Sequence, residues 1–423
     1  MQNPLFDYFQ VKKEERAALS YACLWFMTLL GGYYMVRPVR DALGSEFHEK
    51  LKDLFLATFV TMLIVVPLYS QLVSRFPRRV LVPVVYRFLM VNLLIFAAVM
   101  HWGSEKYNYE IACAFFVWVS VYVLFAMSLF WSVMADAFTT DQGKRLFGMV
   151  AGCGTIGALL GSGFAGQWSA RMGLTGFLLV PAALMEVGLF WYRNLERCKS
   201  SVTRTPSERA ASANPLAGFR RVVESPYLLS ICGYILITSL CGTSLYLTQA
   251  GIVNVEYPLK EDRIPVFAWI DFATQSTTVV LQFLVAGHLM RYSLPLTLAI
   301  LPAAYLIGFA VLGFAPVFAV LVPIIVLTRA TVYGVTVPAQ GVLFTVVSRD
   351  DKYKAKNIID TLVTRGGDAA ASSIGNTLRV GGIGVAVLSW AMIPLTIAWL
   401  VLATILGRNC VARVAESSEA KAE

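Results

Sequence analysis

The sequence predicts an all-α integral membrane protein built of twelve transmembrane helices in two six-helix repeats. Three observations carry that expectation. Of the 423 residues, 57% are hydrophobic and only 14% charged, with a mean hydropathy of +0.65, whereas soluble domains carry about 25% charged residues. The apolar stretches run to roughly 20 residues and lack the dyad alternation of barrel strands, so they suit helices crossing a bilayer. The net charge of +9 follows topology: with both termini inside, about 23 Lys and Arg fall in cytosolic segments and about 9 in outer ones. The charge surplus therefore does not imply nucleic acid. The partner it implies is a lipid bilayer, expected to be a bacterial inner (cytoplasmic) membrane.

The spans fall near 17–37, 52–73, 79–100, 109–138, 145–167, 173–193, 227–252, 264–289, 293–314, 316–346, 355–378 and 383–406. Residues 1–16 place Leu5, Phe6 and Phe9 beside Lys12, Lys13 and Arg16, a cytosolic interfacial segment, with no cleavable signal evident. An N-terminal bundle (17–193) is joined by a basic, Ser/Ala-rich linker (194–226) to a C-terminal bundle (227–407), and 408–423 is a cytosolic tail.

Span one ends GGYYMVRPVRDALG. Tyr33, Arg37 and Asp41 share a face if the helix continues, although Pro38 would kink or break it there. The cluster reads either as a juxtamembrane positive patch or as Arg37 or Arg40 greeting an anion at a cavity mouth. SRFPRR (Ser74–Arg79) is a tight basic turn, and Arg87 is close enough to the inner interface to snorkel. Span four carries Trp118, Tyr122, Trp131 and Asp136, and Asp136 is expected to pair with Lys144 or Arg145. Span five has Gly148/Gly152 and Gly157/Gly161 at i,i+4, which allows close helix contact. No strand precedes it, so it is not a nucleotide-binding glycine loop. Span six holds a lone acid, Glu186, expected to be either neutral or paired.

The second half carries polar stripes on three helices. Span eight places Asp271, Gln275, Thr278 and Gln282 at i, i+4, i+7 and i+11; span ten repeats the spacing with Arg329, Tyr333, Thr336 and Gln340. Span eleven follows with Thr361, Arg365, Asp368 and Ser372, and also holds Asp360. A polar face on an apolar helix is costly against lipid, so it turns to a partner or to a hydrated path. One stripe is explicable as interhelical glue; three in one half favour a cavity.

The halves echo each other at an offset of about 210 residues: DQGKR (Asp141–Arg145) opens span five and DKYKAK (Asp351–Lys356) opens span eleven. A parallel six-plus-six repeat with a central basic loop indicates the major facilitator architecture, in which spans 1, 4, 7 and 10 line the cavity, flanked by 2, 5, 8 and 11. RPVRDALG (Arg37–Gly44), LFWSVMAD (Leu129–Asp136), FAWIDFATQSTT (Phe267–Thr278) and YKAKNIIDTLVTRGGD (Tyr353–Asp368) resemble the ATP/ADP translocases of plastids and intracellular bacteria. The resemblance implies nucleotide exchange, with Arg40 and, more loosely, Arg365 at positions implicated in nucleotide binding. The acid those carriers place in helix four has no counterpart here, and the spacing from Asp360 to the basic-Gly-Gly element is shorter. A relative with a different cargo is therefore the other reading.

The expected function is secondary transport of a small organic anion, a nucleotide or other phosphorylated metabolite, by alternating access. Arginine stays protonated in the membrane and grips phosphate or carboxylate through two donors. The candidate binding residues are Tyr33, Tyr34, Arg37, Arg40, Tyr122, Asp271, Gln275, Arg329, Tyr333 and Arg365. Coupling is either anion exchange or proton transfer through Asp41, Asp271, Asp360 or Asp368. The competing reading neutralises Arg365 and Arg329 by Asp368, Asp360 or Asp271 as interhelical ion pairs. The alternative function is a proton-driven exporter of drug-like or siderophore-like compounds. An enzyme is not expected: there is no His/Cys/Asp metal cluster and no G-x-S-x-G, and the seven scattered cysteines lack C-x-x-C. No cofactor or metal is implied.

Overall fold

Ten of the described helices are long and apolar enough to cross a bilayer. The computed structural model describes residues 11–102, 108–199, 224–347 and 359–419, and all regular structure among them is helical. In chain order come α1 (Arg16–Glu46), α2 (Leu51–Arg75), α3 (Arg78–Trp102) and α4 (Asn108–Ala137). The helical stretch Thr140–Lys199 breaks at Gly173, whose φ of 66° suits a residue without a Cβ, giving α5 (140–172) and α6 (174–199). Both limbs lie against α1, because Gly157 packs on Met27 and Gly188 on Trp25 and Thr28. The chain therefore doubles back at Gly173.

The second half comprises α7 (Pro226–Glu256), α8 (Lys260–Val280), α9 (Leu294–Phe314), α10 (Phe318–Thr331), α11 (Thr364–Val380) and α12 (Ile393–Glu419). Ser225 and Ser293 cap α7 and α9, each accepting a backbone N–H three residues on. π-Helical turns follow α8 (Leu281–Ala286) and α10 (Val332–Thr336) and precede α11 (Ile359–Val363). These are the three helices with polar stripes, and π turns often mark functional positions in helices. α11 is too polar to count among the ten apolar spans. Reaching twelve therefore requires including α11 and dividing 140–199 at Gly173.

Contacts divide the chain into two units. The first holds Met1–Gly44, Ile64–Arg209 and Leu259–Phe272; the second holds Ser45–Leu63, Ala210–Pro258 and Ala273–Glu423. The starts of α2 and α8 thus pack apart from the rest of those helices. In the first unit Trp269 and Phe272 of α8 lie on Gly166 and Gly163 of α5. In the second, Phe55 of α2 meets Tyr246 of α7 and Phe59 lies beside Gly366 of α11.

The first unit's core is aromatic. Trp25 and Phe26 of α1 pack on Phe130 of α4 at 4.8 and 4.3 Å between centroids, and Trp25 on Tyr192 of α6 at 5.0 Å. The second unit is centred on Trp399 of α12, which meets Tyr234 of α7 and Tyr305 of α9. Large rings with fixed shapes supply much buried area and limit how the helices can slide.

Several local expectations are corrected. α1 runs unbroken through Pro38 to Glu46; one missing donor is tolerable where packing holds the helix, and Val36 and Val39 are fully buried. Gly148 and Gly152 of α5 face open space, and the close approach to α1 is made by Gly154, Gly157 and Gly161. Asp136 pairs with Arg78 at 2.9 Å, a partner its spacing did not suggest, and Arg145 bonds Glu15 at 3.1 Å; the Lys144 side chain lies outside the described residues. Of its two expected states Glu186 takes the paired one, with Arg87 at 3.0 Å. α12 stays helical to Glu419, into the segment expected as a cytosolic tail. The segments 1–10, 200–223 and 348–358, including Lys352, Lys354 and Lys356, lie outside the described residues.

Candidate functional site

In the first unit, the end of α1 carries a buried charge cluster. Arg37 is 6% exposed and Asp41 1%; Arg37 Nε lies 3.7 Å from Asp41 Oδ2, one turn on. Arg37 Nη1 lies 3.5 Å from Asp271 Oδ1, which α8 brings in from 234 residues away in sequence, and Asp271 is 1% exposed. Arg40 bonds Asp41 at 2.7 Å and sits over the Phe116 ring. Arg37 sits over Tyr34, which touches Tyr33, and Tyr33 touches Tyr122 of α4. Two arginines face two carboxylates here, beside three tyrosines. Breaking such a cluster by removing one member leaves a buried charge uncompensated, which costs far more than the pair contributes.

The second unit holds the other two candidate arginines, Arg329 and Arg365. Arg329 of α10 donates from Nη2 to Gln249 Oε1 at 2.9 Å. Gln249 is fully buried, and its Nε2 has no partner among the described residues. On α11, Asp368 Oδ1 accepts from the hydroxyls of Ser239 and Thr243, the latter at 2.8 Å. Its other oxygen, Oδ2, faces Arg365 Nη1 at 3.5 Å. α7 and α11 can meet this closely because Gly367 offers no side chain: a Cβ there would sit 3.0 Å from that of Ser239. Asp368 is thus held by two α7 hydroxyls, while the Arg365 side chain, loosely paired, keeps 32% exposure.

Gln275 and Thr278 are buried on the part of α8 that belongs to the second unit. Tyr333 is 42% exposed, and its carbonyl accepts from Gln282 Nε2 at 3.4 Å. The side chain of Asp360 lies outside the described residues. No group of His, Cys, Asp and Glu among the described residues is arranged to hold a metal ion. Sequence reasoning missed α7, where Ser239, Thr243 and Gln249 receive α10 and α11. The available signal was the recurrence of hydroxyls and an amide along α7 (Ser239, Thr243, Ser244, Thr248 and Gln249), which resembles ordinary glue in isolation.

The chain matches no family model. Among curated proteins it is 23% identical over 356 residues to ADP,ATP carrier protein 1 of Chlamydia muridarum, covering 73% of this chain and 67% of the carrier. It is equally similar, 23% over 350 residues, to ADP,ATP carrier protein 1 of Chlamydia pneumoniae, covering 71% and 68%. Solved structures with the same fold are transporters. A bacterial homologue of the iron transporter ferroportin, inward-facing, aligns with a TM-score of 0.61 at 14% identity, covering 93% of this chain and 98% of that one. The nucleoside transporter NupG aligns at 0.56 and 12%, covering 95% and 99%. A bacterial homologue of the lysosomal transporter Spinster aligns at 0.55 and 16%, covering 96% and 95%. The fold is therefore that of the major facilitator transporters, and the similar sequences are carriers, not enzymes.

Proposed function

We propose that the chain is a secondary transporter of a small organic anion, a nucleotide or another phosphorylated metabolite, working by alternating access in a bacterial inner membrane with both termini cytosolic. The observation that carries this reading is Arg365: a guanidinium held in an apolar helix bundle, aimed by a carboxylate that two hydroxyls fix, yet still accessible. A tightly neutralised arginine would be structural. At 3.5 Å its ion pair is long for a charge-assisted bond, so an incoming phosphate or carboxylate offers a better acceptor. The unpartnered Gln249 Nε2 adds a second buried donor in the same unit, and buried donors without partners call for an occupant. The similarity to ADP,ATP carriers and the fold shared with a nucleoside transporter point to nucleotide-like cargo.

Exchange and proton coupling remain distinct versions of this reading. The test is uptake into proteoliposomes preloaded with candidate counter-substrates, across a panel of nucleotides, sugar phosphates, dicarboxylates and lipophilic cations. Uptake of one anion class that Arg365→Ala abolishes and Arg365→Lys partly restores is the expected result. Acceleration by internal anion marks exchange; acceleration by an imposed pH gradient marks proton coupling. Uptake of cations or neutral amphiphiles alone, indifferent to Arg365, would overturn the proposal in favour of the exporter.

A further inference from the structure

A cavity of about 610 Å³ opens in the second unit, where the turn between α1 and α2 lies against the C-terminal ends of α7 and α11. This volume is within the usual range for small-ligand pockets. Asn254 near the end of α7 pins the turn by donating from Nδ2 to the Ser45 carbonyl at 2.8 Å, and Leu51 and Leu54 beyond it are buried. The lining includes His48, Lys50 and Lys52 from the turn, and Ser372, Asn376 and Arg379 from α11. Glu49 and Asp53 also line it, so three fixed cations face two carboxylates.

Two lining groups have buried polar atoms with no partner among the described residues: Arg379 Nη2 and His48 Nδ1. Burying either atom without a hydrogen bond costs free energy, and more for a charged group. The Arg379 guanidinium lies beside Gly251 of α7, at 3.7 Å from where a Cβ would stand, so the two helices are in contact here. Arg379 lies fourteen residues beyond Arg365 on α11, about 21 Å along the helix at 1.5 Å per residue. The two arginines therefore cannot share one small anion.

We propose that this cavity is a second anion site, taking a phosphate group with Arg379 and His48 as its principal donors. Arg379 and His48 both line the cavity, and Asn376 and the lysines supply further donors around it. Glu49 and Asp53 limit how much negative charge the site accepts, which favours a monoester over a polyphosphate. The same chemistry is presented by a soluble phosphate ester and by an anionic phospholipid headgroup. This inference does not depend on what Arg365 binds.

The test uses the wild-type, full-length protein in nanodiscs of phosphatidylcholine, with phenylglyoxal labelling of Arg379 followed by mass spectrometry. Inorganic phosphate or glycerol 3-phosphate should slow labelling at least fivefold, which identifies the soluble ligand. If slowing instead appears when phosphatidylglycerol is included, with no phosphate added, the headgroup is the occupant. Labelling unchanged by either overturns the proposal. Calorimetric titration with inorganic phosphate gives a second readout in the soluble case, run in an Arg365→Gln background so that only the second site is read: Arg379→Lys and His48→Asn should each weaken the remaining binding severalfold. Binding in that background that neither substitution weakens would overturn the assignment, whereas failure of anion transport alone would not.

Discussion

Gly157 offers the most direct test of how α1 and α5 are held together. A Cβ built on it would lie 2.1 Å from the Met27 carbonyl oxygen, whereas carbon–oxygen contacts between packed helices settle at roughly 3.3–3.6 Å. The clash is with backbone, so no rotamer relieves it, and the two helices must separate by roughly 1 Å in Gly157→Ala. Gly154 and Gly161 lie on the same seam, at Phe26 and the Gly31 carbonyl, so their contacts loosen together. A gap of that size forfeits a quarter to a half of each contact's attraction, and overpacking typically costs about 1–3 kcal/mol. Replacing glycine by alanine within a helix gains roughly 1 kcal/mol of propensity, leaving a net loss of up to about 2 kcal/mol. Gly148→Ala, on the same helix with nothing within 4 Å, keeps the propensity gain without the clash. Thermal unfolding in detergent, followed by the fluorescence of the nine tryptophans, should show a lowered midpoint for Gly157→Ala and an unchanged or raised one for Gly148→Ala. Equal midpoints would refute the close-packed seam.

Three further outcomes follow from the charges. Asp271→Ala should destabilise the protein by about 3 kcal/mol, because it leaves Arg37 buried beside a vacancy; the double variant Arg37→Met/Asp271→Leu should recover most of that loss, and equal losses in both would refute the pairing. Asp368→Asn should reduce anion uptake severalfold with little change in melting temperature, since Ser239 and Thr243 retain an amide oxygen to bond while Arg365 loses its guide. A large melting shift would mark Asp368 as structural instead. At the start of α1, burial tends to raise the Glu15 carboxyl, but hydrogen bonds from Gln142 and the Lys12 amide and the charge of Arg145 hold it below its ordinary value. Glu15 therefore contributes stability above the ordinary carboxylate value, and that contribution is lost as pH falls through the lowered one. Glu15→Gln should flatten the melting curve's dependence on pH below about 4; an unchanged acid limb would rule this out.

The membrane class, the helical spans and their approximate ends were legible in the sequence, because lipid imposes a length and an apolarity that each span must satisfy alone. So were the polar helices α8, α10 and α11, since a polar stripe in such a setting stands out residue by residue. The partners were not legible. Nothing in the spacing of α4 indicates that Asp136 takes Arg78 rather than Arg145, and nothing in α5 indicates which of its glycines meet α1. Both depend on how each helix is rotated about its axis, which packing of Trp25, Phe130 and their neighbours sets. Similarly, Arg37 and Asp271 read as separate candidates on helices far apart in sequence, until the fold places them 3.5 Å apart. The cavity lined by His48 and Arg379 had no local signature at all, because its residues come from the ends of three helices and a turn. One-dimensional pattern determined what each helix must be, since solvation acts on every segment separately. Tertiary structure alone decided which charges pair and which remain available, since that depends on distances between segments that the chain order does not constrain.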